Sequence, residues 1–150
     1  PMSARPIALL ASMALSLALG AEGSRADEDE IQGPIAFRLN RVIDGDSLAG
    51  EALIWPGHRV CVNVRVRGID APELRSQCEA ERRMAQEALS HLQGLLAEAG
   101  RIDLVNVRRD KFGGRVVVEV RLDGRDLASS MIHALVARPC DGGARRGWCD

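Results

Sequence analysis

The sequence predicts a small α+β domain, built on a five-stranded β-barrel with helices packed against it. The 150-residue chain has the length of one domain and an ordinary share of hydrophobic residues, 46%. Five stretches alternate apolar and polar residues with the period of two that is typical of strands. Two longer stretches repeat apolar residues every three or four positions, as amphipathic helices do. The order of these stretches along the chain indicates the barrel.

The N-terminal region is predicted to be removed from the mature protein. Arg5 precedes an apolar run over residues 7–19, which has signal-peptide length and is too short to span a bilayer. Small residues at 18–20 and at 24–26 offer two cleavage sites. An uncleaved anchor or a buried helix is the alternative. We interpret residues 1–26 as a signal peptide and expect an exported protein, secreted or periplasmic, with no membrane attachment after cleavage.

The charge of the chain permits a nucleic acid partner without requiring one. The net formal charge is −1, and four consecutive acidic residues at 27–30 begin a predicted solvated linker, residues 27–34. The predicted domain follows at residues 35–150. Without residues 1–30 the chain carries 18 basic and 16 acidic residues, a net charge of +2. Only four aromatic residues are present, which argues against a protein that stacks bases on several aromatic platforms.

Five strands are predicted from alternating apolar and polar residues. They cover residues 35–43, 48–55, 60–67, 102–108 and 115–122. Asp-Gly at 44–45 and Pro-Gly at 56–57 are tight-turn signals, so the first three strands form a meander. A helix separates the third strand from the fourth, and a Gly-rich turn joins the last two.

Two helices are predicted, over residues 76–100 and 126–136. The apolar faces are formed by Met84, Ala88, Leu89, Leu92, Leu95 and Leu96 in the first, and by Leu127, Met131, Ile132 and Leu135 in the second. The charged face of the first helix is expected to be solvated. Trp148 is expected to anchor the Gly- and Arg-rich tail. Three strands, a helix, two strands and a helix form the layout of a Greek-key barrel of the oligonucleotide-binding (OB) type.

Four cysteines in an exported chain predict two disulfides. Cys61, Cys78, Cys140 and Cys149 allow three connectivities, among which the spacing does not choose. Free buried thiols are the alternative. No cysteine lies in a Cys-x-x-Cys pair, so a zinc site is not indicated.

Two aspartates that follow strands form a candidate metal site. Asp46 and Asp70 lie at turns that a closed barrel would bring together. Paired carboxylates with backbone carbonyls and water suit Ca²⁺, a hard cation. Each aspartate alone could instead hydrogen-bond within its own turn. We favour that interpretation for Asp44, and the metal for Asp46 and Asp70 together.

Further polar residues are candidates for phosphate chemistry. Glu73 is a candidate general base for water, or a cap for the following helix. Arg65 lies on the strand face opposite the valines, where its guanidinium could bind a phosphate with two hydrogen bonds. Arg67 shares that face, and the sequence does not choose between the two arginines. Lys111 and Arg115 flank a Gly-Gly turn, for which phosphate binding and simple solvation are equal candidates.

Several motifs, in a fixed order, carry a resemblance to a known family. They are Val-Ile-Asp-Gly-Asp-Ser at 42–47, Val-Arg-Val-Arg-Gly-Ile-Asp-Ala-Pro-Glu at 64–73, Asp-Lys-Phe-Gly-Gly-Arg at 110–115, Asp-Gly-Arg-Asp-Leu at 123–127 and Ala-Arg-Pro at 137–139. Together they resemble the thermonuclease (staphylococcal nuclease) family, and the similarity extends over about residues 36–149.

The resemblance implies an OB-type barrel with about three helices and a Ca²⁺-dependent nuclease. Such an enzyme hydrolyses phosphodiester bonds of DNA and RNA with relaxed sequence preference and leaves 3′-phosphate ends. By motif match, the metal ligands would be Asp46, Asp70 and the carbonyl of Ala71, and the catalytic residues would be Arg65, Glu73 and Arg115. The resemblance also favours a Cys78–Cys149 disulfide. We expect a monomer.

Three positions depart from the family pattern. Gly114 is a second glycine before Arg115, so the hairpin needs a bulge or a longer turn to aim that arginine. Phe112 and Cys140 stand where relatives carry tyrosine. Two alternatives to an enzyme therefore stay open: an OB-fold module with an impaired site that binds nucleic acid or protein, and a disulfide-stapled structural domain.

Overall fold

The computed structural model describes residues 29–149, so the predicted signal peptide lies outside the described residues. The elements are β1 (Glu30–Ile31), β2 (Ile35–Asp44), β3 (Ser47–Trp55), β4 (His58–Val66), β5 (Ile69–Asp70), α1 (Glu79–Glu98), β6 (Ile102–Arg109), β7 (Arg115–Leu122), β8 (Arg125–Asp126), α2 (Leu127–His133) and β9 (Arg138–Pro139). Within the described range, neither helix is long and apolar enough to cross a membrane.

The five long strands close into a barrel. Their hydrogen-bonded order is β6-β2-β3-β4-β7, and β7 pairs in turn with β6. All these pairs are antiparallel except β4 with β7, which run parallel. The predicted α+β barrel is therefore confirmed. Residues 29–149 contain two helices, rather than the three that the resemblance implies.

The interior of the barrel is filled by residues from alternating strand positions and from α1. The fully buried aliphatic side chains include Leu48, Val64, Val66, Leu104, Val118 and Val120. Helix α1 buries Ala85, Ala88, Leu92 and Leu96, which recur every three or four residues along one face. Burying this face against the strands is the main reason that so long an amphipathic helix is stable.

A close approach at Gly45 positions the turn between β2 and β3. A Cβ atom at Gly45 would lie 2.8 Å from the Cβ of Ala71 and 2.9 Å from the Cβ of Ala88. Glycine therefore lets this turn pack against both α1 and the chain that follows β5. Asp46, the next residue, is brought towards Ala71 by this packing.

The predicted linker, residues 27–34, is partly anchored to the barrel. Glu30 and Ile31 pair with Arg108 and Val107 of β6, and the Glu30 carboxylate forms an ion pair with Arg108. A two-residue strand has no periodicity that a sequence pattern could reveal, because its pairing depends on a distant partner.

One of the two predicted disulfides is present. Cys78 and Cys149 are bonded, with Cα atoms 5.9 Å apart, which confirms the pairing that the resemblance favours. The prediction of a second bond is wrong, because Cys61 and Cys140 are free. Cys61 lies within β4. The Cys140 N–H donates to the carbonyl of Gly68, which lies seven residues after Cys61 in the chain. Seven extended residues span roughly 20 Å, and a disulfide needs Cα atoms within about 7 Å.

Candidate functional site

Two buried aspartates from separate turns meet at one arginine. Asp46 and Asp70 are 3% and 6% exposed. Arg65 Nη1 donates to Asp46 Oδ1 at 3.0 Å, and Nη2 lies 4.0 Å from Asp70 Oδ1. The meander explains the first contact, because Ser47 of β3 pairs directly with Arg65 of β4. The structure thus brings together three of the residues that the sequence singles out.

The environment of Asp46 favours an additional positive charge. Burial raises the pKa of Asp46 from 3.8 to about 6, although the charge of Arg65 acts to lower it. Asp46 Oδ1 also accepts the hydroxyl of Ser47 at 2.9 Å, and Oδ2 accepts the N–H of Ala71 at 3.3 Å. Asp44 behaves as a turn residue, since its Oδ1 accepts the N–H of Asp46 at 3.2 Å. A buried carboxylate with a raised pKa is stabilised by any further cation that reaches it.

The turn that carries Glu73 is held by a carboxylate of α1. Glu81 Oε1 accepts the N–H of Glu73 at 2.9 Å, and Oε2 accepts the hydroxyl of Ser76 at 2.6 Å. The Ser76 hydrogen bond and then the Glu73 N–H lower the pKa of Glu81. The side chain of Glu73 itself is 54% exposed, so solvent water reaches it. The expectation that the charged face of α1 is solvated is therefore wrong at Glu81, which is buried.

The C-terminal segment, defined as residues 138–149, closes over Asp70. Trp148 is buried as expected, and its Nε1–H donates to Asp70 Oδ2 at 3.1 Å. The Arg138 guanidinium stacks on the Trp148 ring, 3.6 Å from its centroid. The disulfide to Cys78 fixes the end of the segment. Asp70 is consequently oriented by a part of the chain almost eighty residues away.

Arg145 of the same segment contacts three of the predicted site groups. Its Nε lies 3.0 Å from Asp70 Oδ1, and its Nη2 donates to the carbonyl of Ala71 at 2.8 Å. Its Nη1 forms an ion pair with Glu73. The pKa of Arg145 is raised, because the hydrogen bond to Glu73 and the charge of Asp70 outweigh burial, which acts to lower it.

An open cleft lies beside this ion-paired arginine. Its volume is about 700 Å³, and Gly68, Asp70, Arg138, Cys140, Arg145 and Arg146 are among the residues that line it. Its wall carries charges of both signs, since Asp70 and Asp141 line it together with the three arginines.

The oxygen atoms around Arg145 are of the type that Ca²⁺ takes, but in the described range, residues 29–149, the carboxylates of Asp46, Asp70 and Glu73 do not all lie within 4.8 Å of one another. The available donors are the carboxylates of Asp46, Asp70 and Glu73 and the carbonyl of Ala71, and hard cations take such oxygen ligands. A guanidinium already lies among three of these groups, which indicates that the position favours positive charge. A different group of metal-ligand residue types, Cys78, Glu81 and Cys149, offers no thiolate because its sulfurs are bonded to each other.

The hairpin between β6 and β7 accommodates its extra glycine. The Asp110 N–H donates to the Arg115 carbonyl at 3.1 Å, which closes a loop of four residues. Gly114 has a φ of +80°, a left-handed conformation that strongly favours glycine. Lys111 and Phe112 are exposed at the tip, with the ammonium 5.3 Å from the ring centroid. Within residues 29–149, Lys111 forms no ion pair with the acidic residues of the site.

Arg115 begins β7 on the face of the sheet that carries Arg65. It pairs with Asn63 of the parallel strand β4, and Asn63 and Arg65 share a face. Its Nε donates to Asp110 Oδ2 at 2.5 Å. Burial acts to raise the pKa of Asp110. The hydrogen bond from Arg115 and the charge of Arg115 together outweigh burial, so the net effect is a lowered pKa. The guanidinium is thus oriented by Asp110.

No protein-family model matches the chain, and no curated protein matches it.

Proposed function

We propose that the protein is an exported, Ca²⁺-dependent nuclease of the thermonuclease type. It would hydrolyse phosphodiester bonds of DNA and RNA with relaxed sequence preference and leave 3′-phosphate ends. The observation that carries the proposal is the meeting of Asp46 and Asp70 at Arg65, beside a turn that exposes Glu73. The strand order β6-β2-β3-β4-β7 fits a Greek-key barrel of the OB type, which we propose as the fold.

The two arginines suit the binding of the scissile phosphate. The side chains of Arg65 and Arg115 are each 28% exposed, so both are partly accessible to a ligand from solvent. A guanidinium donates two parallel hydrogen bonds to phosphate oxygens. As negative charge builds on those oxygens, both contacts strengthen, which lowers the barrier to hydrolysis.

Glu73 is the candidate for activating the attacking water. Its carboxylate is exposed, and the hydrogen bond from its N–H to Glu81 fixes the backbone from which it projects. A carboxylate held in this way orients a water molecule and accepts its proton. Asp46, Asp70 and the Ala71 carbonyl would hold Ca²⁺, which when bound supplies charge neutralisation at a phosphate oxygen.

The test compares cleavage by the wild type, Asp46→Asn and Asp44→Asn. Single-stranded DNA and RNA are incubated with the mature proteins, with Ca²⁺ or with a chelator. We expect degradation by the wild type in Ca²⁺ only, and a loss of roughly a hundredfold or more in Asp46→Asn. Asp44→Asn is the matched control, because asparagine keeps the turn hydrogen bond.

The other outcomes separate the alternatives. Equal cleavage in chelator and in Ca²⁺ would remove the metal from the proposal. Binding of DNA without degradation would favour the impaired OB-fold module. Neither binding nor degradation would favour the structural domain.

A further inference from the structure

We propose that Arg145 is an intramolecular competitor of the divalent cation: its guanidinium holds the oxygen site and must leave when a metal ion binds. The inference rests on the proposed cation site and identifies a residue that sets its affinity. The motif positions of the sequence do not include Arg145, which lies in the C-terminal segment.

The contacts of Arg145 are those of a cation in its binding site. Nε, Nη1 and Nη2 each meet a different group, namely Asp70, Glu73 and the Ala71 carbonyl. A surface arginine in a chance ion pair contacts a single carboxylate. Arg145 contacts two carboxylates and a backbone carbonyl. Two of these three groups, Asp70 and the Ala71 carbonyl, are proposed ligands of Ca²⁺. Occupation by both cations at once is excluded, because they need the same lone pairs and repel each other at such short range.

Release of Arg145 requires only a local movement. Its side chain is 43% exposed even in this contact. It belongs to a stretch between β9 and Trp148 without helix or strand. The cleft of about 700 Å³ lies next to it and would receive the displaced guanidinium. The barrel and the ends of the segment, which are fixed by β9 pairing and by the disulfide, need not move.

The competition follows from charge balance. Without a metal ion, Arg145 neutralises part of the charge of Asp70 and Glu73, and its field reaches Asp46 as well. A divalent cation supplies more positive charge in a smaller volume, so it displaces the guanidinium once its concentration is high enough. The cost of breaking the Arg145 contacts is subtracted from the binding free energy of the metal.

The test is the Ca²⁺ affinity of the mature wild type, Arg145→Ala, Arg145→Lys and Arg146→Ala, measured by calorimetric titration. We expect Arg145→Ala to bind Ca²⁺ about tenfold more tightly than the wild type, a typical size for coupling between two ligands. The Ca²⁺ affinity of Arg145→Lys should lie between those of the wild type and Arg145→Ala. Lysine keeps the positive charge but loses the planar guanidinium that contacts three groups at once. Arg146→Ala is the matched control: Arg146 lines the same cleft, and among residues 29–149 it forms no ion pair with the site.

Thermal unfolding gives an independent readout. In chelator, Arg145→Ala should unfold at a lower temperature than the wild type, because Asp70 and Glu73 lose their counter-ion. In saturating Ca²⁺ the difference should shrink or reverse. A purely structural role of Arg145 would instead lower the unfolding temperature by the same amount in both conditions.

The outcomes distinguish this inference from the proposed function. Equal Ca²⁺ affinities in all four proteins, or weaker binding by Arg145→Ala, would overturn the competition and leave the cation site standing. Absence of Ca²⁺ binding in both the wild type and Arg145→Ala would overturn the cation site, and the competition with it. Binding by Arg145→Ala alone would be the strongest support.

Discussion

Arg65 of β4 and Arg67, which directly follows the end of β4, have different partners. Arg67 Nη2 donates to the carbonyl of Asn106 at 2.6 Å, and Nη1 lies 3.9 Å from Glu119. Arg67 therefore ties β4 to the wall formed by β6 and β7. Arg65 instead faces the two buried aspartates. Because Arg65 rather than Arg67 faces the proposed metal ligands, we expect Arg65 to be the arginine that binds the phosphate.

Substitution by lysine should separate the two roles. Arg65→Lys keeps the positive charge but loses the planar guanidinium that donates two parallel hydrogen bonds. We therefore expect phosphodiesterase activity to fall roughly a hundredfold or more. Arg67→Lys should keep most of the activity and lose about 1 kcal/mol of unfolding free energy, the usual worth of a hydrogen bond. Steady-state kinetics and urea denaturation measure the two effects. Similar activity losses in both variants would contradict the assignment.

The site residues differ in how far the sequence reveals them. Asp46, Asp70 and Arg65 are predictable because a strand and its turn fix their positions locally. Glu81 is not, because helical periodicity groups it with exposed charges, and its burial depends on the turn that folds over it. For Arg145 a signal exists, since a Cys78–Cys149 bond brings the residues before Cys149 towards the turn that follows Asp70.

The C-terminal segment is an element held by its contacts rather than by regular structure. Its first two residues pair with β5, where Arg138 lies opposite Asp70. Near its other end, Trp148 donates to Asp70 and the disulfide joins α1 at its N-cap, Cys78. Between these points the chain carries Arg145. The stability of the segment therefore depends on the covalent link.

Removing the disulfide should destabilise the protein without unfolding α1. The bond joins residues separated by 71 positions. Because its removal restores loop entropy to the unfolded chain, the expected cost is about 4 kcal/mol. In Cys78→Ser/Cys149→Ser, serine keeps the helix N-cap. Urea denaturation should show the loss. Reduction of the wild type should reproduce it, and Cys61→Ser/Cys140→Ser should be unchanged. A stability loss below about 1 kcal/mol would show that the other contacts suffice.

The long elements are predictable from the sequence and the short ones are not. Each of the five strands and two helices lies within three residues of its predicted ends. The four two-residue strands have no pattern of their own, because their partners define them. The sequence places Leu135 on the apolar face of α2, but Leu135 is 88% exposed and has a φ of +61°. Helix α2 ends before it, at the cap residue Ala134.

Three carboxyl groups couple the stability of the protein to pH, with opposite signs. Burial raises the pKa of Asp46 to about 6. Hydrogen bonds from Ser76 and from the Glu73 N–H lower the pKa of Glu81. For Asp110 burial acts to raise the pKa, but Arg115 outweighs burial and the pKa is lowered. A raised pKa means that the folded state holds an extra proton, so stability falls as pH rises from 3.8 towards 6. The lowered groups contribute stability above their ordinary values of 4.5 and 3.8, which is lost as pH falls through their folded pKa.

Asp46→Asn should isolate the part of this pH dependence that belongs to the proposed cation site. In chelator, the unfolding free energy of the wild type should fall relative to Asp46→Asn by about 2 to 3 kcal/mol between about pH 4 and pH 7, since each pKa unit is worth about 1.4 kcal/mol. Asp44→Asn should show a smaller fall than the wild type, because the charge of Asp44 contributes to the raised pKa of Asp46. Parallel profiles for the wild type and Asp46→Asn would contradict the raised pKa.

Ca²⁺ should reverse that loss where Asp46 is ionised. A metal ion binds the carboxylate and not the carboxylic acid, so its affinity should weaken below about pH 6. At pH 7 and a concentration of about a hundred times its dissociation constant, Ca²⁺ should add about 2.7 kcal/mol to the unfolding free energy of the wild type. At pH 4.5 it should add far less, and Asp46→Asn should gain little at either pH. An equal gain in both proteins would place the cation elsewhere, because only a site that includes Asp46 ties the metal to this proton.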